Sequence, residues 1–191
     1  MGHKFTSYSD YSKQKSFFNL STEHKVYIGI GLATVVIIVG GIFLVSNSGP
    51  STKPLMGQVV AVSGGHVPQG TPLQYSTNPP AGGQHYDTTA HAGIYDTSNL
   101  PADGNLVHSL EHGAVILWYN PKRLSTDQMN KLKTIFNQTS GKGIMAPRSS
   151  MDVPVGLSSW GQVLKLKNID EKQVKGFFET NNNRGPESAP I

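Results

Sequence analysis

V-H-S-L-E-H-G-A-V-I-L-W-Y, spanning Val107–Tyr119, changes character at its middle. Its second half, Ala114–Tyr119, is a nearly unbroken apolar run with β-branched and aromatic residues, which predicts a buried strand. Its first half gathers His108, Glu111 and His112 where that strand begins. On a helix, positions i, i+3 and i+4 share a face and all three side chains converge. On a strand, i and i+4 share a face and Glu111 points away. In both conformations His108 and His112 are neighbours, and Gly113 lets the backbone turn between the two regimes. Imidazoles and a carboxylate grouped beside a core strand suggest a site without naming its reaction.

The 191 residues hold one ordinary domain with extensions. Cysteine is absent, which excludes disulfides, thiol catalysis and thiolate ligands and leaves His, Met, Asp and Glu as metal donors. The 21 glycines and 12 prolines fit a loop-rich domain rather than a helical bundle. The net charge of +4 is unevenly placed. Before Val26, Lys4, Lys13, Lys15 and Lys25 outnumber Asp10 and Glu23. Lys53 adds one more charge, and from Pro54 onward 11 basic residues face 10 acidic ones. The main domain is nearly neutral and carries no electrostatic footprint for nucleic acid.

Residues Met1–Lys25 read as a cytoplasmic polar tail, short and disordered, with Tyr8, Tyr11, Phe17 and Phe18 as residues that could make contacts. Val26–Val45 carries no charge, and its length at ~1.5 Å per residue spans the ~30 Å of a bilayer core. It reads as a transmembrane helix. The preceding lysines place the N-terminus in the cytoplasm and the following domain outside, as a single-pass protein of the cell membrane. A signal peptide cleaved near Ser46–Ser48 is the alternative, but the apolar run exceeds the ~7–15 residues usual for one. Gly29 and Ala33 have the small-xxx-small spacing of helix pairing. Residues 46–56, opening S-N-S-G-P-S-T-K-P, form a flexible tether, and 57–191 form the extracytoplasmic domain.

Within that domain, Gly57–Val62 reads as a first strand. Ser63–Asn105 is rich in Gly, Pro, Asn and Thr, yet carries three histidines together with Tyr75, Tyr86 and Tyr95, and is read as ordered loop laid over the core strand. Leu124–Phe136 is an amphipathic helix with Ser125 as N-cap and Gln128 completing a capping box. Leu124, Met129, Leu132, Ile135 and Phe136 form its buried stripe. Gly143–Ala146 and Val153–Leu157 are short strands, and Gln162–Lys167 alternates as a half-exposed one. Ile169–Thr180 is a second helix, with Asp170 near its start and Val174, Phe177 and Phe178 facing inward. The ending N-N-N-R-G-P-E-S-A-P-I is expected to lie exposed, with Glu187 capping or pairing with Arg184. Strands and two helices without regular βαβ alternation predict an α+β fold: a small mixed or antiparallel sheet, two helices and long ordered loops, preceded by the transmembrane helix.

Seven segments occur in order: His66–Pro68 (H-V-P), Pro79–Tyr86 (P-P-A-G-G-Q-H-Y), Gly93–Tyr95 (G-I-Y), Leu106–Tyr119, Ala146–Arg148 (A-P-R), Leu157–Gly161 (L-S-S-W-G) and Arg184–Glu187 (R-G-P-E). Together they resemble the bacterial and archaeal domain-of-unknown-function family number thirty-one hundred and five, over about His66 to Glu187, with H-x-L-E-H-G as the most specific part. The resemblance implies a single-pass anchored extracytoplasmic domain and brings no activity with it. The family's G-P-H-Y here reads Gly83-Gln84-His85-Tyr86, so the loop loses a rigidifying proline and keeps its histidine.

Neutral imidazole is the commonest ligand of zinc and copper. His108 and His112 offer two ligands at helix or strand spacing, His85 a third from a Gly-rich loop, and His66 a fourth. Glu111 adds a carboxylate, and Met145 a thioether suited to Cu(I). The first expectation is therefore a membrane-anchored domain binding copper or zinc. A second is a non-enzymatic module docking an envelope protein partner, its histidines and Glu111 forming a hydrogen-bonded scaffold. A third is a zinc-dependent hydrolase, since H-x-x-E-H can hold zinc with Glu111 as general base. Against it, Gly113 cuts the helix short and no downstream helix offers a histidine. Trp118 and Trp160 are read as core. His91 is given little weight, and His3 and His24, in the cytoplasmic tail, are not candidates.

Overall fold

The computed structural model describes residues 21–46 and 52–191. Most of the expected tail and the middle of the expected tether lie outside the described residues. The chain divides into two units between residues 49 and 50. In the first, α1 spans Thr22–Ser46 and encloses the uncharged segment. Its stretch Thr22–Ile42 is long and apolar enough to cross a membrane, as an anchor or as a signal sequence.

The second unit runs β1 (Gln58–Val59), β2 (Gly65–Val67), β3 (Gln84–Tyr86), β4 (Gly93–Ile94), α2 (Asp103–Glu111), β5 (Val115–Tyr119), α3 (Thr126–Asn137), β6 (Gly143–Pro147), β7 (Val155–Ser159), β8 (Gln162–Leu166) and α4 (Glu171–Asn181). Six strands form one sheet in the order β1-β8-β7-β5-β6-β4, and β2 and β3 form a separate parallel pair. The larger sheet is mixed: β5 runs parallel to β6 and antiparallel to β7. The fold is α+β.

All five residues of β5 are buried, because both faces of the sheet are covered. Val115, Leu117 and Tyr119 point to one face and pack with Leu132, Ile135 and Phe136 of α3 and Val174, Phe177 and Phe178 of α4. Ile116 and Trp118 point to the other, where they meet Leu106 and Leu110 of α2. Two covered faces explain why this strand reads as a continuous apolar run rather than an alternating one. The capping box of α3 forms as its sequence predicts: Gln128 N–H donates to Ser125 Oγ (3.2 Å), and Ser125 N–H donates to Gln128 Oε1 (2.9 Å). Asp170 caps α4 through Gln173 N–H.

Four local expectations are corrected. The first strand shrinks to the two residues of β1, which pair with the start of β8. The strand expected from Val153 begins at Val155, after the turn that Pro154 closes. His108 and Glu111 lie on a helix, so the domain has three helices rather than two. The C-terminal segment does not stand free: Asn181 and Asn182 are buried, and Asn182 Nδ2 donates to Lys142 O at 3.1 Å.

A candidate metal centre

Three elements carry the histidines together. β2 and β3 pair in parallel with His66 opposite His85, and register partners on adjacent strands point to the same face. Against that pair packs α2, which presents His108 and, one turn on, Glu111. The ring centroids of His66 and His85 are 4.7 Å apart, those of His66 and His108 4.8 Å, and those of His85 and His108 5.0 Å. One donor atom from each of His66, His85, His108 and Glu111 lies within 4.8 Å of the others.

α2 is placed by tertiary contacts. Its N-cap, Ala102, offers no side-chain cap. Instead both carboxylate oxygens of Asp103 accept from Arg148 Nη1 at 2.9 Å, and Arg148 also donates to Asn78 and lies 5.2 Å from the Trp118 ring. Ser109 Oγ donates to Ala90 O (2.8 Å) and accepts from Ala90 N–H (2.9 Å). At the other end, Ala114 N–H bonds Ser109 O and Gly113 N–H bonds Leu110 O, both at 2.9 Å, with Gly113 at φ +84°. This is a Schellman motif, and it aims the chain from the helix into β5.

The hydrogen bonding is informative. His85 is fully buried, and its Nδ1 lies 2.8 Å from Gly83 O. A carbonyl only accepts, so Nδ1 carries a hydrogen and the Nε2 edge of the ring turns inward. Nε2 meets Glu111 Oε2 at 2.8 Å, without hydrogen-bond alignment. At this distance a proton or a cation must lie between the two atoms. His66 Nε2 and His108 Nε2 stand 3.3 Å apart, the separation of about 3.3 Å expected between two ligands of a tetrahedral ion held at ~2.0–2.1 Å. Among the described residues four buried side-chain polar atoms lack a hydrogen-bond partner, and three of them, His85 Nε2, His108 Nδ1 and Glu111 Oε2, are in this cluster. Burial, first, and then the neighbouring His112, His85 and His66 hold the His108 imidazolium below the usual histidine range, against the opposite pull of Glu111. A neutral imidazole is the form that binds metal.

The remaining expected ligands part company. His112, the C-cap of α2, has its ring 4.5 Å from that of His108 but is grouped with Glu187 rather than with His66 and His85. Its Nδ1 donates to Pro190 O at 2.8 Å, and its Nε2 lies 3.3 Å from Glu187 Oε2. The H-x-x-E-H reading needs Glu111 free as a base beside an ion shared by His108 and His112; here Glu111 contacts His85. Met145 is not brought to the cluster. It alternates with Ile144 and Ala146 along β6, so it points with Leu117 into the core on the far face of the sheet. Glu187, given to Arg184 on sequence alone, is the residue that reading missed; the R-G-P-E ending marks it, but only the fold brings it to His112. Trp160 lies edge-on to His85, ring centroids 5.9 Å apart. His91 is exposed, outside the cluster.

A family model described as protein of unknown function, DUF3105, matches residues 66–190. No curated protein and no solved structure matches the chain.

Proposed function

Because this chain belongs to the DUF3105 family, whose matched span encloses the whole cluster, we propose that it is a membrane-anchored domain that binds a divalent transition metal, copper or zinc, through His66, His85, His108 and Glu111. The observation that carries the reading is the buried pair of His85 Nε2 and Glu111 Oε2, 2.8 Å apart with neither atom in an aligned hydrogen bond. A purely structural network would close each of these bonds, since an unpaired buried polar group costs about 1–3 kcal/mol. An ion between His85 Nε2 and Glu111 Oε2 closes both of theirs. The Gly83 carbonyl on His85 Nδ1 is the outer-shell bond that orients metal-binding imidazoles. Three nitrogens and one carboxylate oxygen suit Zn(II) and Cu(II). The soft donor that favoured Cu(I) lies behind the sheet.

The anchor is α1, and the lysines before it favour an outside location for the domain. The test uses the full chain, stripped of metal in detergent micelles. Cu(II) is expected to quench Trp160, and Zn(II) to bind by elemental analysis. His66→Ala with His85→Ala is expected to abolish both at this position. Metal content at background in the wild type at neutral pH would sink the proposal.

A further inference from the structure

His108 belongs to two groups of donors. The first holds it with His66, His85 and Glu111; the second holds it with His112 and Glu187, again with one donor atom of each within 4.8 Å of the others. An imidazole has two nitrogens on opposite sides of its ring. Nε2 of His108 is turned to His66 at 3.3 Å. Nδ1 is buried and has no hydrogen-bond partner, in a residue only 5% exposed. On the second side, His112 repeats the arrangement of His85. Its Nδ1 is tied to a backbone carbonyl, Pro190 O, so that its Nε2 faces a carboxylate, Glu187, at 3.3 Å. The two halves of the cluster are thus built alike, and His108 stands between them.

We propose that the site takes two ions, the second held by His108 Nδ1, His112 Nε2 and Glu187, with His108 as the bridging ligand. This rests on the first position being a metal site. When the second ion binds, neutral His108 releases its one N–H proton to solvent and coordinates through both nitrogens. The positions differ in access. The inner carboxylate, Glu111, is 13% exposed, and the outer one, Glu187, 49%. The outer ion therefore exchanges faster. It also joins the C-terminal segment to α2, because Glu187 reaches the site from a stretch already held by Glu187 N–H on Glu111 O and by Lys142 Nζ on Ala189 O.

The experiment titrates the full chain in detergent micelles with Cu(II) and counts bound metal. Wild type is expected to hold two equivalents, one lost quickly to a chelator. Glu187→Gln and His112→Ala are each expected to hold one, which still quenches Trp160. Glu187→Gln changes a half-exposed side chain, so loss of folding does not explain loss of an ion. As a second readout, bridged Cu(II) ions couple their spins, so the integrated paramagnetic signal per copper should fall steeply as the second equivalent binds. One equivalent in wild type, unchanged by Glu187→Gln, overturns the second position and leaves the first intact. Two equivalents at full signal per copper overturn the bridge. No bound metal in wild type overturns both positions.

Discussion

At the scale of single residues, His108 sets the pH behaviour. Burial and three neighbouring imidazoles hold its protonated form below the ordinary histidine range in the fold, while in the unfolded chain it titrates near ~6.5. Above that pH both states carry a neutral ring, and His108 contributes nothing to the pH dependence. As pH falls below it, the unfolded chain takes up a proton that the folded chain resists, so stability is lost on acidification until the folded value is reached. The metal-free protein should therefore show a urea midpoint that drops as pH is lowered through ~6.5, and His108→Gln should flatten that drop. An equal slope in the variant would remove His108 as the cause. The same protons compete with metal for the imidazoles, so affinity should weaken over the same interval.

At the scale of elements, the junction between α2 and β5 carries the next prediction. Gly113 adopts φ +84°, and a Cβ there would come within 2.9 Å of Asn183 Cα in the C-terminal segment. Gly185 answers from the other side: a Cβ on it would fall 2.1 Å from Glu111 O. The two glycines let the tail press against the end of α2, which brings Glu187 to His112. Gly113→Ala should destabilise by on the order of 1–3 kcal/mol and weaken metal binding as the tail shifts. Ser125→Ala, which removes a helix cap far from the histidines, should cost about 1 kcal/mol and leave metal binding alone. Equal effects of the two on metal binding would mean that this junction does not position the site. These elements also show where sequence reading works. The capping box of α3 and the apolar run of β5 are local patterns, and both are legible. α2 is not: with Gly104, Asn105 and Ser109 in nine residues and no capping side chain, it depends on Arg148, Ala90 and Tyr86, contributed from elsewhere. β2, β3 and β4 are too short to show periodicity. That His66 faces His85 follows from a parallel register between distant segments, which no local signal encodes. Met145 failed as a ligand for a related reason: composition names a donor, and only the pleat of β6 says which face it occupies.

At the scale of the whole molecule, the uneven charge and the absence of cysteine combine into a test of topology. The lysines before α1 predict an N-terminus inside and the α+β domain outside. Because the chain has no native thiol, a single introduced cysteine reports its own location without background. Asn130 is exposed on α3 and suits this use. In intact cells, a membrane-impermeant maleimide should label Asn130→Cys and should label Ser7→Cys only after permeabilisation. The reverse pattern would place the domain in the cytoplasm, while leaving the metal site untouched. The mass of the recovered chain separates anchor from signal sequence: an anchor keeps all 191 residues, whereas cleavage near Ser46–Ser48 releases about a quarter of them. With an intact chain labelled at residue 130 from outside, the histidine cluster would lie on the outer side of the membrane, where its more exposed carboxylate, Glu187, can meet ions arriving from the medium.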